Sequence, residues 1–376
     1  VAHAGLAYTL DRVDPVQTFQ GRPGPRVLIG AAKGALAGYV SGLLGPLAGA
    51  AVGAVLGAIP VGHPGSLKKA GNVAGLDSMQ VPQLWQQGLT GKGVGVAVLD
   101  TGCAPHAALG SRVVAFHDAV LGKTEHYDSA FHGTAVCTAL AGDGPVMRGV
   151  APEANIVAVR VTDEEEAVES SEVLRALDWV SQHRQRYNIQ VVNCSFGLED
   201  SGMSKVAERI RDLREQGMIV CTSAGNEGPR ERRLNLFKGS PDLLTVASVD
   251  TQGSVDPGDD KISRTSTRAK EGSAKTPDVS APGLDLVCGG SEGGYLRFAD
   301  GGTSLATALT SGVMALWKQA VPDLTLGEAH QAIQATSLPM GGETPASQGA
   351  GLLQARAGLD YLRNLREQHV GLTQGR

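Results

Sequence analysis

Val94-Gly95-Val96-Ala97-Val98-Leu99-Asp100-Thr101-Gly102 is the stretch from which the fold is read. An unbroken apolar run rich in valine suits a strand buried on both faces, as in a parallel sheet, better than a strand with one wet side. The run stops at an aspartate followed by Thr-Gly, which marks the end of the strand. Four further runs of the same kind follow: Ile156–Val161, Gln190–Cys194, Met218–Thr222 and Leu244–Val249. Helical patterns lie between several of them, notably Ser171–Gln185 and Met203–Glu215. Strands alternating with helices predict an α/β fold, a mostly parallel sheet between helix layers. In such sheets ligands and catalytic groups gather at the carboxyl ends of the strands.

Chemistry-bearing residues sit where that rule looks for them. Asp100 ends the first run, where it is either a turn residue or a functional acid. His132, in Phe131-His132-Gly133-Thr134-Ala135-Val136, opens a small-residue helical pattern. Ser304, in Asp300-Gly301-Gly302-Thr303-Ser304-Leu305-Ala306, opens another that runs to about Gln319. A serine there serves as an N-cap. It also serves as a nucleophile, because unpaired amides and the helix dipole favour negative charge beside it. Asn226, in Ser223-Ala224-Gly225-Asn226-Glu227-Gly228, follows a strand. Its amide either forms a turn or donates to a developing oxyanion.

The chain order Asp, His, Asn, Ser separates this set from chymotrypsin-like and α/β-hydrolase orders. It resembles the subtilisin-like serine proteases over residues 78–363. The resemblance is carried by Val98-Leu99-Asp100-Thr101-Gly102, His132-Gly133-Thr134, Gly149-Val150-Ala151-Pro152, Asn193-Cys194-Ser195-Phe196-Gly197, Ala224-Gly225-Asn226-Glu227-Gly228, Pro277-Asp278-Val279-Ser280-Ala281-Pro282-Gly283 and Gly302-Thr303-Ser304-Leu305-Ala306. It implies a three-layer subtilisin-like fold and a serine endopeptidase. Ser304 would be the nucleophile, His132 the general base and acid, Asp100 the orienting acid, and Asn226 the oxyanion donor beside the Ser304 main-chain N–H. Ser195, Phe196, Gly197 and Glu227 would contact substrate. The acidic run Asp163-Glu164-Glu165-Glu166 and Glu227 suggest a preference for basic residues on the acyl side, against the plainer reading of a solvated acidic loop.

The chain departs from the family in several places. Thr307-Ala308 replaces the usual small residue and proline after Ser-x-Ala. Ala135 stands where a second histidine is frequent. The loop Gly142-Asp143-Gly144-Pro145 is too short for the calcium loop of many relatives. No cofactor is required by this reading, no metal ligand is assigned, and structural calcium is not indicated. No folded inhibitory prodomain is evident in residues 1–75.

Composition sets the outer bounds. The chain has 376 residues, is 42% hydrophobic and 4% aromatic, and carries a formal charge of −5. That balance gives no basic surface for nucleic acid, so the expected partner is a protein or peptide substrate. The cysteines Cys103, Cys137, Cys194, Cys221 and Cys288 are odd in number and contain no C-x-x-C pair, which excludes a zinc-ribbon or thioredoxin-type site. Lying in apolar runs, they read as small core residues.

The N-terminal segment, residues 1–70, is of another kind. It has no short basic-then-apolar signal pattern at its start. No residue from Gly34 to Gly62 is charged, and glycines recur at Gly30, Gly34, Gly38 and Gly42, then Gly45, Gly49, Gly53 and Gly57. This spacing places small residues on one helix face. The expectation for 27–62 is a glycine-zipper-like membrane-contacting helix or hairpin, broken at Gly45-Pro46, with a flexible prosegment as the alternative. The peptidase domain would occupy 71–365, with a tail at 366–376. A membrane-associated or exported protein is expected, with a cytoplasmic one as the alternative. Three further readings stay open at this level: a dedicated peptide-maturation protease, a peptide ligase in which an amine resolves the acyl-enzyme, and an inactive membrane-associated scaffold.

Overall fold

The computed structural model describes residues 10–13, 71–162, 167–198, 200–232, 234, 237–273 and 275–374. Along the chain these form β1 (Leu10–Val13), α1 (Gly71–Ser78), α2 (Val81–Trp85), β2 (Gly95–Asp100), β3 (Val113–Asp118), α3 (His132–Ala141), β4 (Asn155–Arg160), α4 (Ser170–His183), β5 (Ile189–Cys194), α5 (Met203–Glu215), β6 (Ile219–Ser223), β7 (Glu231–Arg232), β8 (Leu244–Asp250), β9 (Lys261–Ile262), β10 (Arg268–Ala269), β11 (Val279–Pro282), β12 (Leu286–Gly289), β13 (Tyr295–Phe298), α6 (Thr303–Ala320), α7 (Leu326–Thr336), α8 (Pro345–Gln348) and α9 (Ala355–Gln374).

Alternate residues of the central strands divide between two cores, and this builds three layers. Val96 and Val98 of β2 pack into one core, Ala97 and Leu99 into the other. Ile156 and Ala158 of β4 likewise oppose Val157 and Val159. Side chains along a strand point alternately to opposite faces, so a run that is apolar at every position needs cover on both sides. One face is covered by α3, α6 and α9, through residues such as Leu140, Met314 and Leu362. The other is covered by α4 and α5, through Leu177, Val180 and Ile210.

The main sheet runs in the order β11-β8-β6-β5-β2-β4-β3, every neighbouring pair parallel, with β9 antiparallel on β8. The expected parallel sheet between helix layers is therefore present, and all five runs read from the sequence are strands of it. β12 and β13 form a separate antiparallel hairpin whose outer edge pairs with β1.

Helix α6 is the spine of the molecule. Every residue from Thr303 to Lys318 is buried. Val150 lies so close that a Cβ on Gly312 would sit 2.5 Å from its side chain, and the Trp317 indole donates to the Ala355 carbonyl at 2.7 Å. All five cysteines are free and buried, as expected of small core residues. The glycine-patterned segment 27–62 lies outside the described residues. Among the described residues no helix is long and apolar enough to cross a membrane.

Candidate active site

Three neighbouring strands, β2, β5 and β6, deliver their carboxyl ends to one edge of the sheet. Asp100 is the last residue of β2, Ser195 follows β5, and Asn226 follows β6 by three residues. His132 and Ser304 come from the first turns of α3 and α6.

Asp100 is 3% exposed. Its Oδ1 accepts from the Thr101 main-chain N–H at 2.8 Å and faces His132 Nδ1 at 2.7 Å. Its Oδ2 is buried without a hydrogen-bond partner. The carboxylate requires a donor, so the proton of neutral His132 belongs on Nδ1 and Nε2 is left basic. The His132 side chain is 22% exposed, against 2% for that of Asp100. The pair thus has one buried end and one end open to solvent.

The two segments carrying this pair are fastened together by neighbours. Thr101 Oγ1 accepts from the Gly133 N–H at 2.9 Å and donates to Asp128 Oδ1 at 2.7 Å. Asp128 Oδ2 accepts from the N–H and hydroxyl of Thr134 at 2.7 and 2.6 Å. Asp128 thereby satisfies the open Thr134 amide at the α3 N-terminus, where a negative charge is also favoured. Gly133 is needed for the close approach, since a Cβ there would lie 2.0 Å from the Gly102 carbonyl oxygen. Sequence reading missed Asp128. It stands three residues before the N-cap position, Phe131, and its partners Thr101 and Thr134 meet it only in the folded chain.

Ser304 is 7% exposed. Its hydroxyl donates to the Ser195 carbonyl at 3.2 Å, while the Ser195 hydroxyl donates to the Ser304 carbonyl at 3.1 Å. Asn193 Nδ2 donates in turn to Ser195 Oγ at 2.9 Å, and Ser311 Oγ donates to Asn193 Oδ1 at 3.0 Å. The nucleophile candidate and the 195–197 segment are therefore held in fixed relation by a buried polar chain.

Asn226 Oδ1 accepts from both the N–H and the hydroxyl of Thr303, at 2.9 Å each. Only the amide oxygen can accept from a main-chain N–H, which fixes the orientation and leaves the Nδ2 donors facing away from Thr303. A Cβ on Gly302 would meet the Asn226 amide at 2.8–3.1 Å, so glycine is required there by space. The preceding Gly225 has φ +107°, and a Cβ on it would lie 2.7 Å from Lys238 Nζ and 2.9 Å from Thr267 Oγ1.

Phe196 stacks on Phe237 with centroids 5.8 Å apart and planes 4° from parallel. Gly197 is exposed, and a Cβ on it would meet nothing within 4 Å. Glu227 is half-buried, its N–H donating to Thr267 Oγ1 at 3.1 Å. The run Asp163–Glu166 lies outside the described residues.

The chain is similar to known proteins. The model of the subtilase family of peptidases matches residues 91–360. The serine protease AprX of Bacillus subtilis (strain 168) is 30% identical over 294 residues, covering 72% of this chain and 66% of that protein. The chain thus spans just under two thirds of that relative's length. An intracellular serine protease of Paenibacillus polymyxa is 28% identical over 314 residues, 79% of this chain and 89% of that protein. Subtilisin E of Bacillus subtilis (strain 168) is 28% identical over 293 residues, 75% of this chain and 70% of that protein. The minor extracellular protease Epr of the same organism is also similar, at 28% identity over 75% of this chain and 41% of its own, so the relatives' names span both sides of the cell envelope. With the family match covering most of the chain and the fold built on the same order of motifs, this protein belongs to the subtilase family.

Proposed function

We propose that this protein is a serine endopeptidase in which Ser304 forms the acyl-enzyme. The observation that carries the reading is the 2.7 Å contact between buried Asp100 and His132 Nδ1 at the edge of the sheet to which Ser195 tethers Ser304.

In the resting enzyme the Ser304 proton points at the Ser195 carbonyl. Rotation of the hydroxyl toward His132 Nε2 frees that carbonyl. Ser304 Oγ then attacks the scissile carbonyl carbon as its proton passes to Nε2. Asp100 holds the imidazole in the required tautomer and stabilises the imidazolium without taking its proton. The carbonyl oxygen becomes an oxyanion, met by Asn226 Nδ2 and the Ser304 N–H at the α6 N-terminus. These donors are fixed beforehand, so little reorganisation opposes the charge as it develops. His132 returns the proton to the leaving amine, and water repeats the sequence on the acyl-enzyme.

Substrate main chain would lie along Ser195–Gly197, where Gly197 leaves open space. Phe196 and its stacked partner Phe237 supply an apolar wall, and Glu227 supplies negative charge. The test is a serine-reactive fluorophosphonate. It should label the parent at one site, mapped by peptide mass spectrometry to Ser304, and leave Ser304→Ala unlabelled. Labelling that survives in Ser304→Ala would place the nucleophile elsewhere.

A further inference from the structure

The return from β8 to β9 is an acidic loop, and β9 pairs with β8 on the same edge that β6 occupies further back along the strand. Asp250 ends β8, and Asp256, Asp259 and Asp260 follow before Lys261. Asp250 is half-buried, and Asp256 and Asp259 are exposed, as loop acids normally are. Asp260 is not. It is 3% exposed, and neither of its carboxylate oxygens has a hydrogen-bond partner. Among the described residues no arginine, lysine or histidine forms an ion pair with it, and its neighbour Lys261 is exposed.

A buried carboxylate normally carries its own compensation, an ion partner or several donors. Asp100, Asp118, Asp128 and Asp278 of this chain each accept at least one hydrogen bond. Asp260 has neither kind of partner. Burial first, and then the charges of Asp259, Asp250 and Asp256, push its carboxyl up to about 7. A bare carboxylate among three others is the arrangement that a cation would relieve.

We propose that Asp260 anchors a binding site for a calcium-type cation in the 250–260 loop, completed by main-chain oxygens and water within the field of Asp250, Asp256 and Asp259. Among the described residues no three His, Cys, Asp or Glu side chains converge as a ready-made metal cage. That disfavours zinc and other transition metals, which want several side-chain ligands in tight geometry. It suits calcium, which takes six to eight oxygens in a pliable shell and accepts carbonyls and water. The site is separate from the short Gly142–Pro145 loop. Because β8 runs parallel to β6, the site lies at the same carboxyl edge of the sheet as Asn226: from Asp260 the chain runs through β9 to Thr267, whose N–H donates to the Gly225 carbonyl and whose Oγ1 accepts from the Glu227 N–H, on either side of Asn226.

The experiment uses the full chain in the Ser304→Ala background, to prevent self-cleavage. Thermal unfolding is followed in EDTA, in calcium chloride and in magnesium chloride, for this protein and for the same protein carrying Asp260→Asn. Calcium should raise the unfolding midpoint of the former by several degrees, because an ion bound only by the folded state stabilises it. Asp260→Asn should abolish that rise. In EDTA the ranking should invert, with Asp260→Asn melting at or above its parent, since it removes an unpaired buried charge at nearly constant shape. Absence of a calcium effect, or an equal effect in both proteins, overturns the proposal. Hydrogen exchange of the Ser304→Ala protein alone gives a reading that needs no second substitution. Calcium should add protection within 250–262, and protection confined to other segments overturns the assignment.

Discussion

Asn226 Oδ1 is bound twice by Thr303, through its N–H and its hydroxyl at 2.9 Å each, so the amide of one loop is locked to the residue that precedes Ser304. The lock has two consequences that mutation can separate. Asn226→Asp keeps the acceptor for Thr303 and removes the Nδ2 donors. Turnover should fall by about 10²–10³ with little change in KM, the usual effect of deleting one oxyanion donor, while the melting temperature changes little. Steady-state kinetics beside a thermal melt checks this. A loss of stability as large as the loss of turnover would make Asn226 a structural residue.

Asp128 and Thr101 join the strand end bearing Asp100 to the helix start bearing His132, although neither contacts substrate in the proposed mechanism. Asp128→Asn weakens the charge-assisted bonds to Thr134, each worth about 1.5–3 kcal/mol. Stability should drop by about that amount. The rate of fluorophosphonate labelling should drop with it, because the imidazole is no longer held in place. Asp128→Ala should do more on both counts. Unchanged labelling in a destabilised Asp128→Ala protein would mean that Asp128 only caps the helix.

Glu227 and Lys238 bring opposite charges to the loop around Asn226. Glu227 follows Asn226, and Lys238 Nζ lies behind Gly225, donating to the Ala224 carbonyl at 3.4 Å. If the Glu227 carboxylate faces the bound side chain, a peptide-library profile should be enriched in Lys and Arg on the acyl side. Glu227→Gln should lower kcat/KM for those peptides selectively. A profile without basic enrichment removes the preference.

Far from the site, Lys318 of α6 is 2% exposed and donates to the carbonyls of Gly217 and Leu324 at 2.8 and 2.6 Å. It neutralises main-chain oxygens beyond the carboxyl ends of α5 and α6. Lys318→Met leaves the buried Leu324 carbonyl without its donor, at a cost of about 1–3 kcal/mol, and frees the carbonyl of Gly217, an exposed residue. Burial pulls the ammonium down from 10.5 to about 8, against the opposing pull of Asp323 and Glu328. Between those two values the unfolded chain holds the proton more tightly than the folded one, so folding becomes more favourable as pH rises through this window. The neutral amine still has two N–H donors for its two carbonyls. The stability gap between the parent and Lys318→Met, measured by denaturant melts, should therefore widen from pH 8 to pH 10. A gap that narrows contradicts the assignment.

The fold was legible where burial on both faces leaves its mark on every residue. β2, β4, β5, β6 and β8 carry unbroken apolar runs, and the reading found them within a residue or two of their observed ends. β3 escaped because it is the edge strand, with an irregular register against β4 and Val114 40% exposed, so its pattern is mixed. β11 escaped because it is four residues long and ends in Pro282. Among the candidate site residues, those adjoining strand ends and helix starts could be read from local pattern. Asp128 and Asp260 could not, for opposite reasons. The value of Asp128 lies in partners, Thr101 and Thr134, that only the folded chain brings to it. What distinguishes Asp260 from Asp256 and Asp259 is burial, which composition does not record within one acidic loop.

The central claim is that Ser304, through the Asp100–His132 pair, cleaves peptide bonds. The most direct measurement is kcat/KM on an unstructured protein substrate for the purified full chain and its Ser304→Ala variant, with product masses read at each cut. The account predicts fragment pairs whose summed mass exceeds that of the parent segment by one water per cut, and a loss of about a million-fold in the variant. Equal activity of the two proteins, or an inert parent that is demonstrably folded and unreactive toward fluorophosphonate, would contradict it.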